Sequence, residues 1–176
     1  MTLITTNTSS NAASSSFTSS IDSTYKLYIF KFFDVNPVDD KPEFGFQVNA
    51  AGESGYNETI TSTSFQAEHL EVEGATGSMA YQTSTDQAQG TADQPIGRDT
   101  GNGSDESVTG TLWLFNPSNT TYVKHFYATS IGLDGEDRAN NAFNAGYINT
   151  TAAIDEIQFK FASGNMDAVI KMYGVG

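Results

Sequence analysis

Along most of this chain, large apolar residues recur at every second position, the spacing of strands that bury one face. Tyr25–Phe33 is dense in aromatic and β-branched residues and predicts a strong strand. Asp34–Pro42 interrupts it with Pro37, Asp39, Asp40 and Pro42. Glu43–Val48 resumes with Phe44 and Phe46 on one face. The turn Ala51–Tyr56 then leads to a Thr-rich strand, Glu58–Phe65, of the kind expected at a sheet edge. Thr109–Phe115 and Thr121–Thr129 predict a hairpin about Asn116-Pro-Ser-Asn119, where a φ-locked proline sits among Asx-turn formers. A second hairpin is predicted from Ile154–Phe161 and Ala168–Tyr173 about Ser163–Asn165. Its first strand puts Ile157, Phe159 and Phe161 on one side and Gln158 and Lys160 on the other.

No stretch sustains a helical period. Seven or eight strands with long connections predict an all-β fold, an antiparallel β-sandwich of jelly-roll type, over residues 21–176. Three segments are less legible. Residues 71–107, punctuated by Gly74, Gly77, Gly90, Pro95, Gly97, Gly101 and Gly103, predict loops projecting from the sandwich, with one short strand at Ser78–Thr83. Asp134–Gly146 predicts a polar loop. Residues 1–20, nearly all Ser, Thr, Asn and Ala, predict an extended arm that orders against a neighbouring subunit, because such a segment has little apolar surface to offset its ordering entropy.

Composition narrows the function classes. A length of 176 residues suits one domain, and the absence of cysteine removes disulfide frameworks and thiolate metal sites. Charged residues make up only 16%, yet the net charge is −13 and the pI near 4.2. With 8 scattered Lys and Arg residues there is no basic stripe for a phosphate backbone, so no nucleic-acid partner is expected. Anionic lipid would repel this charge, and no apolar run has the roughly 18–20 residues of a transmembrane helix, so no membrane partner is expected. Met1-Thr-Leu-Ile-Thr-Thr lacks the basic and apolar regions of a secretory signal, which predicts synthesis and retention in a cytoplasm. The sequons at Asn7, Asn57, Asn102, Asn119 and Asn149 then read as by-products of an Asn-, Ser- and Thr-rich chain.

Candidate chemistry is sparse. The histidines, His69 and His125, have no nucleophile elbow to serve, and no catalytic residue is assigned. Asp39-Asp40, Asp105-Glu106, Asp134-Gly-Glu-Asp137 and Asp155-Glu156 supply the residue type of a glycosidase pair, but a −13 chain is expected to carry such clusters anyway. Asp99, Asn102 and Asp105, or the stretch Asp134–Asn140, offer hard oxygen ligands for calcium without EF-hand spacing. The more economical reading is solvated acidic loops, with no metal or cofactor assigned. Trp113 alternates with Leu112 and Leu114, so both faces of its strand are apolar. That predicts a central strand with Trp113 buried, the alternative being an exposed ring that stacks on sugars.

Three stretches carry a resemblance: Ser19–Tyr25, Gly110–Lys124 (GTLWLFNPSNTTYVK) and Ile157–Asn165 with Ile170–Gly174. Together they resemble a family of tailed-bacteriophage virion proteins, abundant in phages of aquatic bacteria including cyanophages. The resemblance spans about Ser19 to Gly174, with the middle loops poorly matched, and its motifs are strands and turns with no catalytic pattern. It implies a jelly-roll unit on the virion surface, homo-oligomeric and by analogy trimeric. Such a unit would serve as head decoration or cement on the major capsid protein, or as a tail-associated module that binds a host-surface glycan.

Overall fold

A computed structural model describes residues 1–176 as thirteen strands with no helix. They are β1 (Thr2–Ala12), β2 (Ser15–Phe17), β3 (Leu27–Pro37), β4 (Phe44–Ala50), β5 (Ile60–Leu70), β6 (Ser78–Tyr81) and β7 (Ala88–Gly90). The remainder are β8 (Gln94–Gly97), β9 (Val108–Phe115), β10 (Lys124–Leu133), β11 (Arg138–Ile148), β12 (Ile154–Phe161) and β13 (Met166–Val175). All ladders are antiparallel. One sheet has nine strands in the order β1-β13-β3-β9-β10-β11-β5-β6, with β7 also on β5; the other has four, β2-β12-β4-β8. The fold is the expected all-β antiparallel sandwich, with more strands than the seven or eight anticipated.

The two orders match position by position. Four of the chain's crossings between sheets, β1→β2, β3→β4, β8→β9 and β12→β13, lie side by side. Ile154–Phe161 and Met166–Val175 therefore belong to different sheets and do not form the hairpin expected from the sequence. β3→β4 is flanked by β12→β13 on one side and β8→β9 on the other, so each crossing is paired in both sheets. Period-2 alternation points one set of side chains from each sheet into the gap, where 26 buried apolar residues form a single core. Phenylalanines dominate it: Phe30 and Phe159 lie 5.5 Å apart between ring centroids, Phe44 and Phe161 5.2 Å, and Phe46 and Phe126 5.1 Å. Large rings need small partners. Phe32 lies over its cross-strand neighbour Gly110, and Phe126 over Gly146, where a Cβ would come within 2.6 and 2.8 Å of the ring.

The polar arm is not an arm in this chain. Thr2–Ala12 pairs with β13 as the outermost strand of the large sheet, Ser15–Phe17 pairs with β12, and Phe17 and Ile21 enter the core. Backbone pairing anchors a segment that its side chains scarcely anchor. Asp134–Gly146 likewise is no loop: Asp134–Asp137 turns the chain and Arg138–Ile148 is an 11-residue strand in the middle of the sheet. Nor is β5 an edge, for it lies between β11 and the short strands β6 and β7.

These strands were obscured because they bury polar side chains. β10, β11 and β5 extend past the smaller sheet, and their inner face carries Ser62, Ser64, Gln66, Ser130, Asn140 and Asn144, all buried. Residues 82–101 fold back over this overhang, with β8 across β10 and β11, instead of projecting into solvent. Thr85 Oγ1 donates to Ser64 Oγ (2.7 Å), the Gln87 N–H to Ser62 Oγ (2.9 Å) and Gln94 Nε2 to the Thr85 carbonyl (2.9 Å). Asn140 and Asn144 find no side-chain partner within the chain. Lys124 is fully buried beside this region, where Nζ donates to the Tyr122 and Thr150 carbonyls at 3.1 Å each; burial pushes its pKa down.

Candidate interaction surface

The acidic pairs singled out in the sequence serve local structure. Asp134 is buried in the β10–β11 turn: Oδ1 accepts the Glu136 and Arg138 N–H groups at 3.0 and 3.1 Å, and Oδ2 accepts from Arg138 Nε at 2.8 Å. Glu156 accepts from the Tyr56 hydroxyl at 2.8 Å. Asp39 and Asp40 are exposed between β3 and β4, with Lys41 paired to Glu136 at 3.1 Å. Asp105 and Glu106 line one end of the large sheet together with Asp34 and Asp167, and Asn36 Nδ2 donates to the Gly103 and Glu106 carbonyls there.

The oxygen-rich loop at Asp99–Asp105 does not converge on a point. Asp99 pairs with Arg98 at 3.2 Å, and Asn102 Nδ2 donates to the Val38 carbonyl at 3.1 Å. No group of three His, Cys, Asp or Glu side chains is placed to hold a metal ion. His69 is exposed at the end of β5 with Nδ1 2.8 Å from its neighbour's carbonyl, and His125 is exposed on β10 beside Tyr147.

The outer face of the nine-stranded sheet is different. Ladder registers align its outward residues in rows. One row runs Tyr173, Ile29, Trp113, Tyr127, Ala145, Thr63, and the next runs Lys171, Lys31, Thr111, Thr129, Phe143, Phe65, Tyr81. Beyond them Ile131, Asn141, Ala67 and Met79 align on one side, and His125, Tyr147 and Thr61 on the other. None of these residues is acidic, although the chain has 21 acidic residues. The carboxylates begin at the rim, with Asp34 and Asp167 at one end and Asp86, which accepts the Tyr81 hydroxyl, beside β6.

Aromatic pairs organise this face. Trp113 and Tyr127 lie 5.2 Å apart between centroids, Phe65 and Phe143 stack at 4.8 Å, and Lys171 Nζ lies 5.5 Å from the centre of the Phe33 ring. Tyr127, Phe65, Tyr81, Ile131 and Met79 are all exposed. Trp113 is half-buried and outward-facing, where the sequence predicted burial: Leu112 and Leu114 take the core side, and Ile29, itself buried on the outer face, packs in the Trp113 row. Phe65, Tyr81 and Phe143 were not singled out from the sequence, since they come from three segments that only the β5 ladders bring together.

On standard strand spacing the six long strands from β13 to β5 and four rows of side chains span roughly 800 Å². A contiguous aromatic face whose outward rows carry no carboxylate is chemically suited to cover by another surface or by stacked rings.

No family model matches the chain, and no curated protein matches it. Among solved structures, a protein of unknown function from Bacteroides ovatus is similar over 64% of this chain and 45% of that one, at 5% identity and a TM-score of 0.32.

Proposed function

We propose that this chain is a structural protein of a tailed-phage virion, a capsid decoration or cement module that binds the head shell and copies of itself. The observation that carries the reading is an aromatic face whose aligned outward residues include no Asp or Glu, on a protein of net charge −13. Protein interfaces deplete acidic residues and enrich Tyr, Trp and Phe at their centres. The face also has about the roughly 800 Å² that each partner gives to a standard-size interface. The resemblance of the Gly110–Lys124 hairpin and of the Ile157–Asn165 and Ile170–Gly174 stretches to phage virion proteins supplies the virion context. Many weak copies of one contact would stabilise a shell by mass action, with acidic loops turned outward.

Electron microscopy of assembled particles tests this directly. Hundreds of copies on the head, with the nine-stranded sheet against the shell, are expected. Few copies, at the tail alone, would sink the decoration role. Trp113→Ala with Tyr127→Ala is expected to weaken shell binding at least about tenfold, since central aromatic anchors contribute about 2 kcal/mol or more.

A second reading has its own support. The Trp113–Tyr127 pair, with Lys31 in the adjoining row, suits a sugar ring and favours a tail-associated glycan-binding module. Saturable binding on a glycan array, abolished by the same double variant, is its expected signature.

A further inference from the structure

We infer that β1 is a pairing edge, and that a second copy of this chain adds to it antiparallel through its own β1. A strand at the rim of a sheet leaves every other backbone N–H and C=O unpaired, and folded proteins blunt such edges with short length, charge, proline or bulges. The other rims here follow that rule. β2 and β7 have three residues each, β6 has four, and β8 has four including Pro95.

β1 does not. It has eleven residues, Thr-Leu-Ile-Thr-Thr-Asn-Thr-Ser-Ser-Asn-Ala, with no charge and no proline. Its irregularities lie towards its ends, between Leu3 and Thr5 and between Ser9 and Ala12. The stretch Thr5–Ser9 is therefore regularly paired with Met172–Ala168 on one side and open on the other.

Charge selects the occupant. Two copies at −13 repel wherever acidic loops meet. No Asp, Glu, Lys or Arg side chain occurs before Asp22, and Asp167 meets β1 only near its end, where Oδ1 accepts the Asn11 N–H at 2.7 Å. Thr5–Ser9 is therefore a rim that two copies approach with little repulsion. Below the edge, the corner between β1 and β2 is a groove lined almost wholly by Ser, Thr and Asn, again without charge. Antiparallel strands meeting edge to edge are related by a two-fold axis, and a row of identical edge groups is complementary to itself in that arrangement. The pair would run the two nine-stranded sheets into one and place both aromatic faces on the same side. This two-fold contact differs from the trimer that the family resemblance implies, and it does not rest on a virion role.

Sedimentation equilibrium on the full chain, from low to high micromolar, reads the assembly. Hydrogen exchange over the same range locates it. The expected result is a monomer–dimer equilibrium in which amides of Thr2–Ser10 exchange more slowly as concentration rises. Thr8 and Ser10 are exposed and, unlike Thr6, neither lies opposite Lys171, so Thr8→Lys with Ser10→Lys keeps the fold while setting like charges across the edge. This variant is expected to raise the dissociation constant at least tenfold. Ser54→Lys with Thr151→Lys, the same added charge on exposed loops, should leave it unchanged. A monomer throughout, or an oligomer indifferent to the β1 lysines, would overturn the inference. An oligomer that instead breaks on loss of Trp113 and Tyr127 would overturn it too, while leaving the face reading intact.

Discussion

Glu43 shows how one side chain couples this acidic surface to pH. It sits just before β4, half-buried, and burial pushes its carboxyl above the ordinary range; nearby Asp99 adds to the shift and Arg98 opposes it. A carboxyl whose pKa is raised by folding binds its proton more tightly in the folded state. Its contribution is fully present below the unfolded value and is lost as pH rises through the folded one. At neutral pH the half-buried Glu43 carboxyl therefore contributes less to stability than it does at acid pH. Glu43→Gln is expected to raise Tm at neutral pH and to match the parent at acid pH, where both side chains are neutral. Thermal melts across this range check it, and a variant less stable than the parent at neutral pH would mean that the Arg98 attraction dominates.

At the scale of elements, the aromatic–glycine pairs set how closely neighbouring strands pack. Gly110 and Gly146 each lie under a phenylalanine from the adjacent strand, and a Cβ there would also approach the Thr129 or Thr61 carbonyl oxygen, which is backbone and cannot swing aside. Gly110→Ala and Gly146→Ala are each expected to destabilise by about 1–3 kcal/mol, the usual range for overpacking a core, measured by urea unfolding. The same pairs explain what the sequence made legible. β3, β4, β9, β12 and β13 carry their Phe, Ile and Leu at every second position and are readable directly. β11 alternates Asn140, Ala142 and Asn144 inward, a period-2 pattern with no hydrophobic contrast, so it resembles a loop. β1 and β2 have almost no apolar residues and are held by ladder bonds, which composition does not reveal. The outer face was legible in the sequence only through the alternative reading of Trp113 as an exposed ring. Its Phe65–Phe143 half depends on the β5–β11 ladder, a pairing of segments nearly eighty residues apart.

For the whole molecule, the separation of charge from apolar surface predicts how association responds to salt. The acidic residues lie mainly on loops and at the rim, while the aligned rows of the broad face carry none and the β1 edge meets one, Asp167, only at Asn11. Two effects follow from raising salt across the physiological range. Screening over about 8–10 Å weakens repulsion between distant acidic loops, both within one chain and between two. Apolar and backbone contacts are not weakened by that screening. Association at either surface is therefore expected to tighten as NaCl rises from about 20 to 300 mM, with the Debye length falling from roughly 20 to 6 Å, and Tm is expected to rise in parallel. An interface built from Asp and Glu against Lys and Arg responds in the opposite direction. Sedimentation at these salt concentrations separates the two: a dissociation constant that falls with salt supports contact through uncharged surface. One that rises would place the contact at the acidic loops, against the five exposed or half-exposed lysines Lys26, Lys31, Lys41, Lys160 and Lys171.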